Sequence, residues 1–190
     1  MTWDDDDLLR KHPHLDRILI RSDEIHKRVR QLGNEISRDY AENVPVLVSI
    51  LKGSYVFLAD LTRCLTIPHE VDFMAISSYH GGTQSTGVVK IEKDLKTNIT
   101  GRDVLIVEDI VDTGLTISYL LDLLGTRSPR SLRVCTLLDK TRARTKDVAV
   151  AYSGFEIPSE FVIGYGLDFA EKYRNLPYIG TLRPEAYRDV

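Results

Sequence analysis

Residues 104–117 read Val-Leu-Ile-Val-Glu-Asp-Ile-Val-Asp-Thr-Gly-Leu-Thr-Ile, an apolar run leading into three carboxylates and a Thr-Gly turn. A short, unbroken apolar run such as Val104–Val107 suits a strand buried on both faces of a parallel sheet. Asp112-Thr113-Gly114 suits a tight turn feeding a helix from about Leu115 to Leu124. The start of such a helix turns free backbone N–H groups and the positive end of its dipole toward one point, which makes a seat for a phosphate. Glu108 and Asp109 then stand at the C-terminal edge of the strand, where open α/β sheets bind their ligands. The plainer alternative is an ordinary strand-to-helix turn carrying solvated acids.

The flanking sequence repeats this alternation. Ser22 is a good N-cap, Asp23 and Glu24 follow in the first turn, and Ile25, Val29, Leu32, Ile36 and Tyr40 recur every three or four residues as one buried helical face. Pro45 opens a strand over Val46–Leu51, and a helix follows over Ser54–Arg63. Further strands are expected at Val71–Ile76, Val88–Ile91, Leu132–Leu138, Val148–Tyr152 and Phe161–Tyr165. Strands alternating with helices give an α/β class with a mainly parallel, twisted sheet flanked by helices. A chain of 190 residues can bury one sizeable core, so residues 1–190 read as a single domain. Residues 1–21, with the acidic run Asp4–Asp7, read as a frayed or hood-associated segment. Between Ser77 and Val88 the chain is rich in Ser, Thr and Gly and reads as a functional loop.

Composition removes several classes. No apolar run approaches the roughly 20 residues of a membrane span, and the acidic start lacks the order of a secretory signal, so a cytoplasmic protein is expected. Cys64 and Cys135 match no metal spacing and read as buried, reduced thiols. A net charge of −3 gives no global attraction to nucleic acid, although Lys140-Thr141-Arg142-Ala143-Arg144 is locally basic.

Four more segments carry chemical possibilities. Leu51-Lys52-Gly53-Ser54 lies between a strand and a helix; Gly53 permits a sharp turn or a close backbone approach, and Lys52 brings a charge. Ser78-Tyr79 stands near the start of the loop, Gly81 and Gly82 are available as hinges, and Ser85-Thr86-Gly87 closes it. Leu137-Leu138-Asp139-Lys140 ends a strand, where a Lys is ordinarily just solvated. The stretch 155–180 holds Phe161, Val162, Asp168 and Arg174, for which strand core and surface roles are the plain alternatives.

Together with 104–117, these segments resemble the type I phosphoribosyltransferase family, and within it the hypoxanthine-guanine group of bacterial type. Ser54 follows Lys52-Gly53 where vertebrate members tend to have a second Gly. The resemblance covers roughly residues 20–180. It implies a Rossmann-like fold with a small hood, to which the N-terminal helix and the C-terminal segment contribute. The implied substrates are 5-phosphoribosyl 1-pyrophosphate (PRPP) and a six-oxopurine, with Mg²⁺ as cofactor and a homodimer or homotetramer as the assembly. Glu108 and Asp109 would receive the ribose hydroxyls and Mg²⁺. Asp112 would be the general acid/base at the purine imidazole edge, and Thr113, Gly114, Leu115 and Thr116 would hold the 5′-phosphate. Lys52, Gly53 and Arg174 would take the pyrophosphate, the peptide bond before Lys52 often being cis in the family. Lys140 would meet the six-oxo group, Phe161 would stack on the purine, and Val162 would pair with its edge through the backbone. Asp168 would bind a second Mg²⁺, and the loop with Ser78 and Tyr79 would close over the site. Asp139 is placed to pair with Lys140 and tune the choice among hypoxanthine, guanine and xanthine. The alternatives are a xanthine-preferring relative and a non-catalytic PRPP sensor that binds nucleic acid.

Overall fold

The computed structural model describes residues 12, 14–78 and 89–186. In chain order its elements are β1 (Leu15–Ile20), α1 (Ser22–Asp39), β2 (Val46–Leu51), α2 (Tyr55–Cys64), β3 (Glu70–Ser78), β4 (Val89–Lys93), β5 (Asp103–Val111), α3 (Leu115–Gly125), β6 (Ser131–Asp139), β7 (Tyr152–Glu156), β8 (Val162–Ile163) and β9 (Ile179–Leu182). Six strands form the main sheet in the order β4-β3-β2-β5-β6-β7. All its neighbours are parallel except the edge strand β4, which runs antiparallel to β3. A smaller sheet, β1-β9-β8, is antiparallel and forms the hood.

Side-chain alternation along the central strands splits the core into two layers. Leu47, Leu105 and Val107 join Ile25, Val29, Leu32 and Ile36 of α1 and Phe57 and Leu61 of α2 on one face. Val46, Val48, Val104 and Ile106 meet Ile117, Leu120 and Leu124 of α3 on the other. The hood has its own cluster of Leu15, Ile163, Leu176, Tyr178 and Leu182. On the edge strand β7, the Ser153 and Gly154 carbonyls accept hydrogen bonds from Arg28 of α1 at 2.7 and 3.1 Å. That occupies acceptors an open edge would otherwise expose.

Several local expectations shift. Arg21, not Ser22, is the N-cap of α1, and the Glu24 carboxylate accepts the Arg21 N–H at 2.9 Å. The helix expected in the hood packs on the main sheet instead; β1, just before it, supplies the hood strand. The strand expected at Val148–Tyr152 begins only at Tyr152, where pairing with Cys135 starts. Of Phe161–Tyr165 only Val162 and Ile163 are strand, and they belong to the hood. Gly164 and Tyr165 take left-handed backbone angles (φ 96° and 50°), so the chain turns there and Gly164 makes only an isolated bridge to Leu167. Cys135 is buried, Cys64 is only partly so, and both are free thiols. No helix among the described residues is long and apolar enough to cross a membrane.

Candidate active site

β5 extends to Val111, so Glu108 and Asp109 lie within a paired strand rather than in a solvated turn. Alternation turns Glu108 toward α3 and Asp109 toward the α1–α2 face. Each residue is only 8% exposed. Asp109 Oδ1 accepts the Ile110 N–H at 2.9 Å, whereas Glu108 Oε2 is buried with no hydrogen-bond partner. Burial, and then the charge of Asp109, push the Glu108 carboxyl well above its ordinary range. Burial also lifts Asp109, against the N–H donations it accepts and the Arg174 charge, to about 6. Two buried acids held this way favour an incoming cation or hydroxyl donors.

Beyond them the chain makes the turn into α3. Gly114 caps this helix with φ 81°, and a Cβ there would come within 2.7 Å of the Lys146 carbonyl oxygen. The Thr113 carbonyl accepts N–H groups from Thr145 and Lys146 at 2.9 and 3.1 Å, so segment 140–148 braces the turn from behind. The first-turn amides of α3 lack intrahelical acceptors and face a cleft of about 230 Å³ lined by Glu108, Asp109, Asp112, Thr113, Gly114 and Thr116. Leu115 opens the helix with an exposed side chain that does not line this cleft.

The Lys52 loop leaves β2 through a cis Leu51–Lys52 peptide. Gly53 allows close approach: a Cβ there would lie 1.8 Å from Asp109 Oδ2. Ser54 is fully buried beneath the loop, donating to the Ile50 carbonyl and pairing with the Ser49 hydroxyl at 2.6 Å. Facing Lys52 is the turn that follows β8. Arg174 donates to the Gly166 carbonyl at 2.8 Å and pairs with Asp168 at 2.9 Å.

A second cleft, of about 320 Å³, brings together Lys52, Gly53, Asp109, Asp112, Lys140, Phe161, Val162, Asp168 and Arg174. Lys140 is nearly buried, and its Nζ donates to Asp112 Oδ2 at 2.8 Å. Phe161 is 40% exposed and stands edge-on to Phe169. Asp139 does not pair with Lys140. Both its oxygens accept from Arg144 Nη2 at 2.6 Å, while Arg144 Nη1 donates to the Val148 carbonyl. Sequence reasoning missed Arg144 in this role, and it missed Glu171, whose Oε2 lies 3.1 Å from Lys52 and 3.3 Å from Arg174. The only signal for Glu171 was its spacing, three residues from Asp168 and three from Arg174. Ser78 ends β3 and only its backbone is described; Tyr79, Gly81, Gly82 and Ser85–Gly87 lie outside the described residues.

The sequence and the fold are shared with known proteins. The sequence profile described as the phosphoribosyl transferase domain matches residues 21–170. The chain belongs to that family. A hypoxanthine-guanine phosphoribosyltransferase of Bacillus subtilis is 49% identical over 173 residues, 91% of this chain and 96% of the relative. One from Mycobacterium avium is 51% identical over 177 residues, 90% of this chain and 87% of the relative. The crystal structure of a hypoxanthine phosphoribosyltransferase from Staphylococcus aureus superposes with a TM-score of 0.89 at 48% identity, covering 94% of this chain and 97% of that one. In this phosphoribosyl transferase domain, residues from segments distant in sequence therefore meet in adjoining clefts, with Asp109 lining both.

Proposed function

We propose that this single-domain chain transfers the phosphoribosyl group of PRPP to hypoxanthine or guanine, releasing pyrophosphate in a purine salvage reaction. The observation that carries the reading is the Lys140–Asp112 pair, set in one cleft with Lys52 and Arg174. A six-oxopurine presents a carbonyl oxygen that accepts from Lys140 and an imidazole edge whose proton Asp112 can take. An exocyclic amine offers Lys140 no good acceptor, which disfavours adenine. Phe161, exposed at the cleft, offers a face for the base, and the Val162 backbone its edge.

The remaining residues act on the sugar phosphate. Thr113, Gly114, Leu115 and Thr116 offer amides and hydroxyls to the 5′-phosphate. The buried carboxylates of Glu108 and Asp109 accept the ribose hydroxyls and favour the positive charge that develops on the ribosyl ring. Lys52, Gly53 and Arg174 receive the departing pyrophosphate, which Arg174 suits through its forked donors.

The site fits Mg²⁺. Glu108 Oε2 is a buried acceptor without a partner, and Asp109 and Asp168 line the pyrophosphate cleft. Among the described residues no three ligating side chains converge. Mg²⁺ needs only one or two carboxylates and completes its shell with phosphate oxygens and water. When bound at these acids, Mg²⁺ supplies charge neutralisation for the pyrophosphate. We place the protein in the cytoplasm as a homodimer or homotetramer.

Purified protein supplied with PRPP, Mg²⁺ and adenine, hypoxanthine, guanine or xanthine in turn, with pyrophosphate release as readout, tests the reading. Hypoxanthine and guanine should turn over fastest. Adenine outrunning hypoxanthine would contradict the role of Lys140. Xanthine leading would make the protein a xanthine-preferring relative. A shift in nucleic-acid mobility with no pyrophosphate from any base would favour the regulator.

A further inference from the structure

Both cations assigned above to the pyrophosphate are engaged by carboxylates. Glu171 Oε2 sits between Lys52 Nζ, at 3.1 Å, and Arg174 Nη2, at 3.3 Å, and Arg174 also contacts Asp168 at 2.9 Å. The Glu171 carboxylate lowers the repulsion between two cations that face the same cleft, which is what a phosphate oxygen would do there.

Its delivery is specific. Ala170, Glu171 and Tyr173 all adopt left-handed backbone angles, with φ 51°, 63° and 75°. Such angles are uncommon for residues other than Gly and cluster at ligand clamps. The turn is closed by reciprocal Phe169–Lys172 backbone hydrogen bonds at 3.1 and 3.0 Å and by the Glu171 N–H donating to Asp168 Oδ2 at 2.8 Å. The backbone therefore fixes the root of Glu171 opposite Lys52. The side chain beyond it is exposed and can swing away.

We propose that Glu171 is an internal stand-in for the leaving group: it occupies Lys52 and Arg174 in the free enzyme, and pyrophosphate must displace it to bind. This inference rests on the pyrophosphate role given above to Lys52 and Arg174. Displacement gives the site a reason to let its product go. An anion gripped by two free cations leaves slowly, whereas a resident carboxylate returns as the anion departs and weakens the hold. It also sets the empty site to a near-neutral state between turnovers.

The test is the affinity for inorganic pyrophosphate with Mg²⁺, measured by isothermal titration for the wild type, Glu171→Gln and Glu171→Asp. Glu171→Gln removes the competing charge. Glu171→Asp keeps the charge but shortens the arm by one methylene, so it cannot bridge both cations; Asp also tolerates the left-handed backbone well. Both variants should bind pyrophosphate roughly three- to tenfold more tightly than the wild type, the gain expected from releasing two exposed ion pairs. Damage to the site would weaken binding, so tightening separates competition from a structural role. Tightening in Gln but not in Asp would show a mere effect of net charge and overturn the proposal. Wild-type binding matched or exceeded in weakness by both variants would overturn it alone. Absence of binding in all three proteins would overturn the functional reading with it.

Discussion

Lys140 Nζ donates to Asp112 Oδ2 at 2.8 Å, joining the end of β6 to the turn after β5. Lys140 is 9% exposed and Asp112 49%, so the cation is held from below while the carboxylate meets solvent. The pair presents a donor for a carbonyl and an acceptor for a ring N–H side by side. Asp112→Asn keeps the shape and removes the proton acceptor. Turnover with hypoxanthine should fall roughly 10²–10⁴-fold, the usual contribution of a positioned acid/base group. Steady-state kinetics decide this, and near-normal turnover would remove Asp112 from the chemistry.

Next along the chain, Asp139 is held by Arg144 and kept off Lys140. Both partners are mostly buried. Breaking such a pair from one side strands a charge and costs on the order of 3 kcal/mol. Arg144→Gln should therefore lower the melting temperature substantially. Asp139→Asn combined with Arg144→Gln should recover most of the loss, because neither buried charge is then left alone. Thermal unfolding of the two single variants and the double gives the answer; a double variant no more stable than Arg144→Gln would show that the two residues are not coupled.

Gly53, in the loop after β2, and Asp109, in strand β5, come close enough that a Cβ on Gly53 would lie 1.8 Å from the carboxylate. Gly53→Ala must displace Asp109 or the Lys52 loop. A shift of about 1 Å in a positioning group can cost about 10²-fold in rate, so kcat/KM for PRPP should fall by that order while the fold persists. Unchanged PRPP kinetics in this variant would mean that the present place of Asp109 is not needed.

How much of this was readable in the chain depends on sequence distance. The acids of β5, the Thr113-Gly114 turn and the Lys52-Gly53 loop are each local, and strand-turn-helix patterning places them with no knowledge of the rest. The burial of Glu108 and Asp109 is not local: it comes from β2 and β6 on either side and from helices on both faces. Lys52 and Glu171 are separated by 119 positions and meet only because the turn after β8 folds back over the β2 loop. Asp139 invited pairing with its neighbour Lys140, but Arg144, from the same basic run, turns inward and takes it, while Arg142 stays exposed. The strand misread at Phe161–Tyr165 failed at Gly164 and Tyr165, whose left-handed backbone is invisible to apolar patterning.

Glu108 carries a cost in the folded protein. Its Oε2 is buried without a partner and its carboxyl is pushed well upward, first by burial and then by Asp109. A group with a raised native pKa weakens the fold as pH rises above its ordinary pKa, 4.5 for Glu108, because the unfolded chain then loses the proton while the folded state resists losing it. Glu108→Gln should therefore raise the melting temperature of the ligand-free protein at pH 7.5 by about 2–6 °C, for a gain on the order of 1–2 kcal/mol. The gap should close as pH falls toward the ordinary carboxyl range, where the folded and unfolded chains both hold the proton. The same variant should bind PRPP more weakly. Scanning calorimetry across pH, with PRPP titration alongside, measures both; a less stable variant at pH 7.5 would refute the account.

Asp72 has the opposite sign. It is buried in β3, where its oxygens accept N–H groups of Phe73, Lys96 and Thr97, each at 2.8 Å, and its side chain pairs with Lys93. Burial alone would raise its carboxyl, but the N–H donations from Thr97, Phe73 and Lys96 outweigh it and hold the pKa down at about 2, against an ordinary 3.8. The folded state then favours the ionised form. Its stabilisation, about 2 kcal/mol, is fully present above pH 3.8 and drains away as pH falls through about 2. Asp72→Asn should lower stability by about that amount at pH 7, with the difference shrinking below pH 4 as the wild-type carboxyl protonates. Urea unfolding at pH 7 and at several pH values below 4 checks this, and a stability difference that stayed constant through that range would rule out ionised Asp72 as the clasp that ties the end of β4 to β3.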